Sequence, residues 1–133
     1  MRLMFWTFTL ALMVAPARGH HSWAREYDAS RTVSLVGVIS RVVYRSPHSA
    51  IMLEVPNAAG RNERWTLEWG SPHGLRERGI DKRTLRVGDE LRVSGTAHRN
   101  PRTRSIHLQS LTRLSDGLRI SGRGRAQIPD PSR

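Results

Sequence analysis

The chain has 133 residues, with 22 arginines and lysines against 11 acidic residues and no cysteine. That length builds one core. Without a thiol there is no disulfide stapling, no cysteine nucleophile and no cysteine-held zinc or iron–sulfur centre. The net charge of +11 favours anionic partners, such as phosphate, nucleic acid, lipopolysaccharide or an anionic membrane face.

The first nineteen positions read as an address. Met1-Arg2 is a short positive start, Leu3 to Val14 is almost unbroken apolar sequence, and Ala15-Pro16-Ala17 supplies small residues at a cleavage point. Together these make a secretory signal peptide over 1–19, cut after 17 or 19. The apolar run falls short of the roughly 20 residues that span a bilayer. The expected product is periplasmic or secreted, is not an integral membrane protein after cleavage, and keeps a charge of about +10.

Residues 20–31 are polar, lack a clean period and read as an N-terminal arm. Thr32 to Tyr44 is the longest β-like run, rich in β-branched residues. Its apolar residues fall on both faces and Gly37 sits centrally, as expected at a bulge or a sharply curved strand. Arg45-Ser46-Pro47-His48-Ser49 is a turn. Ala50 to Val55 and Glu63 to Trp69 alternate around a hairpin loop, and in the second of them Trp65, Leu67 and Trp69 share one face. Ser71-Pro72 is an N-cap followed by proline at the first helical position, opening a short helix that stops near Gly79. Glu90 to Thr96 and Ser105 to Leu114 are the last long strands. Asp116-Gly117 then turns into Leu118–Ile120, and 121–133 is a polar tail too poor in apolar residues to order itself.

Three strands, a short helix and two strands match an OB-fold-like, five-stranded β-barrel over 32–120, with one helix between strands three and four. An open, β-sandwich-like meander is the competing architecture.

Histidine placement carries most of the chemical information. His20-His21 lies at the expected mature amino end. Cleavage after 17 gives Arg18-Gly19-His20, whose amine, two deprotonated amides and imidazole form a square-planar nitrogen set suited to Cu(II) or Ni(II). Cleavage after 19 makes His20 the first residue, so that its amine and ring chelate copper and a second imidazole completes a T-shaped set. His48, in the proline turn, is the candidate second imidazole. His73 is a possible additional ligand, disfavoured by its place at a helix N-terminus. His98 and His107 fall in a loop and at an outward strand position, with no metal-like spacing. Trp65 and Trp69, with Glu68 between them, are ligand-face candidates for stacking, although the phase shared with Leu67 makes both tryptophans core residues and turns Glu68 outward. No catalytic signature such as G-x-S-x-G or H-E-x-x-H is present, so no enzyme is expected.

One ordered set of motifs resembles a family of small exported bacterial proteins of unknown function. It begins with His20-His21-Ser22-Trp23 and Glu26-Tyr27-Asp28, and continues with Val36-Gly37-Val38-Ile39 and Ser46-Pro47-His48. Trp65, Glu68 and Gly70-Ser71-Pro72 follow, and Leu75, Gly79, Leu85, Gly88-Asp89 and Val93-Ser94-Gly95 close it. The resemblance covers roughly Gly19 to Leu114. Ser46, Trp69 and His73 depart from its usual asparagine, small residue and asparagine. It implies an exported, OB-like β-domain and supplies no reaction, but its motifs coincide with His20, His21 and His48. The resulting expectation is an exported, non-enzymatic binding module holding copper. The alternative is a basic accessory module that recognises an anionic envelope component or a partner protein. Nucleic acid is not an expected partner.

Overall fold

A computed structural model describes residues 23–122 and 124–129. The expected signal peptide and His20-His21 lie outside the described residues. The architecture is mainly β. Helix α1 (Trp23–Glu26) is followed by β1 (Tyr27–Val43), β2 (Ala50–Pro56) and β3 (Asn62–Glu68). Helix α2 (Pro72–Glu77) precedes β4 (Glu90–His98), β5 (Ser105–Arg113) and β6 (Arg119–Ser121). The expected strand–helix order is reproduced, with a short helix between the third and fourth strands. A sixth strand joins the five expected, because the Asp116-Gly117 turn returns Arg119–Ser121 along β5, pairing Leu111 with Ile120.

The sheet order is β3-β2-β1-β4-β5-β6, and an additional β3–β5 pairing closes a ring of hydrogen bonds. That closing pairing is parallel, setting Thr66 beside Ser105, Leu67 beside Ile106 and Glu68 beside His107. β1 runs long because it serves two neighbours. Its first part pairs β4 from Tyr27 to Val38, and its last part pairs β2 from Val38 to Val43. The expected first strand began at Thr32, whereas β1 begins at Tyr27, where the polar arm gains ladder bonds to β4 that its own sequence does not announce.

Gly37 lies where the strand switches neighbours, and a Cβ there would overlap the Glu54 carbonyl oxygen of β2. Only glycine admits that approach without displacing backbone. A register shift between Ile39 and Arg41 adds local curvature. Gly95 does the same for β4, beside a shift at Ser94, where a Cβ would overlap the His107 carbonyl oxygen.

The core is the inner face of the ring. Ile39, Ile51, Leu53, Leu67, Leu91, Val93 and Ile106 come from the strands, while Leu75, Ile80 and Leu85 join the same cluster from α2 and the loop after it. Each fully buried aliphatic side chain of this kind contributes about 1.5–3 kcal/mol over exposure. Ser71 caps α2 as its sequence predicts, its Oγ accepting from the Gly74 N–H at 3.2 Å with Pro72 next in the helix. Past β6, Gln127 and Arg119 exchange two backbone hydrogen bonds, and Arg78 donates to the Gly122 and Gly124 carbonyls. Among the described residues no helix is long and apolar enough to cross a membrane.

Candidate aromatic and imidazole site

The ring closure brings side chains from four distant segments together. Trp23, on α1, stacks on His107 of β5 with centroids 3.9 Å apart and planes 13° from parallel. The same indole meets His48 of the Pro47 turn at 4.2 Å. Tyr27, at the start of β1, lies 5.8 Å from both Trp23 and His107 and takes the His98 ring edge-on at 5.5 Å. Glu68 sits beside His107 across the parallel β3–β5 register. It lines a cavity of about 370 Å³ together with His48, Ser49 and Thr66.

Each group is held from its own element. His48 follows a cis Ser46–Pro47 bond. The backbone of Ser49 is pinned on both sides, its N–H donating to Gly70 and its carbonyl accepting from Trp69. Tyr27 is 2% exposed, and its hydroxyl shares a 2.8 Å hydrogen bond with Ser105 Oγ. Burial pushes this phenol up to about 12; the Ser105 hydrogen bond opposes the shift and the Glu68 carboxylate adds to it. Burial, and then the neighbouring His48, hold the His107 imidazole below its ordinary value, which favours the neutral ring. His98 is already engaged, its Nδ1 accepting the Asn100 N–H at 3.0 Å. Ser49 Oγ is the buried side-chain polar atom left without a partner among the described residues. It borders the cavity that His48 and Glu68 line.

Of the residues singled out from sequence, the structure gathers His48 and Glu68. Trp69 is core at 4% exposure, and Trp65 packs on the core cluster from β3, as their shared phase with Leu67 indicates. His73 stands exposed on α2, with Nε2 3.3 Å from Glu77 Oε1. His20 and His21 lie outside the described residues. Sequence reasoning set His107 aside as an outward strand position. That position is outward, but the parallel β3–β5 pairing makes the outer surface part of this cluster. Among the described residues no group of three or more histidines or carboxylates is spaced to hold a metal.

These features define a small β-rich protein whose distinctive chemistry is an aromatic–imidazole cluster of Trp23, His48 and His107. A family model described as a family of unknown function (DUF6152) matches residues 9–107, and the chain belongs to that family. No curated protein and no solved structure matches it.

Proposed function

We propose that the mature protein is an exported, non-enzymatic binding module that holds a copper ion through its amino-terminal amine, His20, His21 and His48. In this reading the closed ring is an OB-fold-like barrel. The strand circuit β1-β2-β3-β5-β4 and the helix between β3 and β4 support that assignment, and β6 is an appendage on β5.

The observation that carries the reading is the seat of Trp23, in ring contact with both His48 and His107. Successive Cα atoms are about 3.8 Å apart, so His21 and His20 are tethered within about 8 and 11 Å of Trp23 along the chain. A terminal chelate so tethered has His48 within reach as its further imidazole, and His107 on the same indole adds a second ring nitrogen. All these donors are nitrogen, which suits Cu(II) in square-planar or T-shaped geometry. The pinned Ser49 backbone beside His48 supplies the rigidity a ligand needs.

Mass spectrometry of the exported protein is expected to show an amino end at Arg18 or His20. Copper titration of that form should give sub-micromolar binding that His20→Ala abolishes and His48→Ala weakens at least about tenfold, or 1.4 kcal/mol. Full affinity in His48→Ala would leave only a terminal chelate and refute the shared site. A purified protein still beginning at Met1 would refute both export and the chelate.

A further inference from the structure

We infer that a paired cleft around Tyr44 and Lys82 is a binding site for a phosphate-class polyanion. This goes beyond the copper reading and does not depend on it. Two adjoining cavities of about 550 and 570 Å³ share Tyr44 and Lys82 in their walls. Arg76 and Arg83 line the first, and Arg41 and Arg86 the second.

Five cations therefore face one carboxylate, that of Asp81, which is already committed. Asp81 accepts from the Arg83 backbone N–H at 2.8 Å and from the Arg83 guanidinium at 3.0 and 3.2 Å. These bonds hold its carboxyl below the usual carboxylate range. Arg41, Arg76, Lys82 and Arg86 form no ion pair among the described residues. Like charges gathered on one surface repel, and an occupying anion relieves that repulsion.

The walls are shaped for such an occupant. The Tyr44 hydroxyl donates to the Asp81 carbonyl at 2.8 Å, fixing the phenol between the two cavities. Buried Ile80 and Leu85 contribute apolar surface behind the cations, and a low-dielectric wall focuses their field into the cleft. Guanidinium forks match the tetrahedral oxygens of phosphate groups, and a lysine ammonium adds a point charge.

Lys82 is the only lysine of the chain, which gives the test a single side-chain probe. Reductive ¹³C-methylation keeps its charge and marks Lys82 together with the amino terminus. Titration with inorganic pyrophosphate is expected to shift the Lys82 methyl resonance saturably. Arg76→Ala and Arg86→Ala should each weaken binding at least about fivefold, whereas Arg102→Ala, which removes the same charge from the β4–β5 loop, should change it less than about twofold. A parallel titration with phosphatidylglycerol vesicles separates the sources. A Lys82 shift from vesicles alone assigns the site to a lipid headgroup, and a shift from pyrophosphate assigns it to a soluble phosphate. No Lys82 shift with either probe, or equal weakening by Arg102→Ala, overturns the inference.

Discussion

Tyr27→Phe removes one oxygen atom from the point where β1, β5 and the aromatic cluster meet. The hydroxyl is buried and shares a 2.8 Å hydrogen bond with Ser105 Oγ, whose residue is 6% exposed. The substitution forfeits a net hydrogen bond of about 1 kcal/mol and strands a buried serine hydroxyl at a further 1 kcal/mol or more, a total of about 2 kcal/mol. For a domain near 100 residues that lowers Tm by roughly 8–16 °C. Urea titration followed by tryptophan fluorescence should show a lower midpoint at unchanged slope. Ser105→Ala should cost a similar amount by stranding the phenol. The double variant should cost clearly less than the sum, with a coupling of about 1–2 kcal/mol, because neither partner is then left alone. A loss below about 0.5 kcal/mol for Tyr27→Phe, or strict additivity, would refute the account of this bond as the tie between β1 and β5.

Gly37→Ala should destabilise by about 2 kcal/mol or more, read from the same urea midpoint, because the new methyl overlaps the Glu54 carbonyl and backbone must move. Arg113 donates to the Thr84 carbonyl at 2.7 Å and to the carboxylates of Asp89 and Asp116. Its replacement by alanine should cost about 2 kcal/mol and be visible as a fall in Tm. The Arg113 guanidinium and the Leu118 N–H draw the Asp116 pKa down to about 2, so this contribution is present above the unfolded carboxylate range and is lost as pH falls toward 2. Arg113→Ala should flatten that acid limb. The His107 pKa lies below its unfolded value of 6.5, so the unfolded chain takes up the proton first. The contribution of His107 is full above about pH 6.5 and declines as pH falls below it, and His107→Phe should reduce the slope of Tm below pH 6.5.

Much of the β architecture is written locally. The alternation through Trp65, Leu67 and Trp69 marks a half-buried strand, and Leu67 and Trp69 are indeed buried. Ser71-Pro72 announces α2 through cap chemistry alone, and Gly37 signals a backbone approach whose partner only the fold reveals. What escapes the sequence is long-range. Glu68 and His107 each occupy polar, outward positions of their own strands and become neighbours solely through a parallel pairing between segments about forty residues apart. The first residues of β1 are exposed or paired to β4, so they carry no apolar period to betray a strand. Trp23 reads as part of a polar arm until β5 supplies the ring it stacks on.

The β3–β5 closure consists of only three register pairs, while β1 and β4 share eight. A short clasp of this kind is where a closed sheet comes undone first, at a cost below that of global unfolding. When it parts, Glu68 separates from His107, and the surface beneath Trp23 is split between two edges. Anything that grips both the Pro47 turn and β5 would act as a pin through that clasp. Slowed amide exchange at Leu67 and Ile106 would report its presence even where the pin itself is invisible.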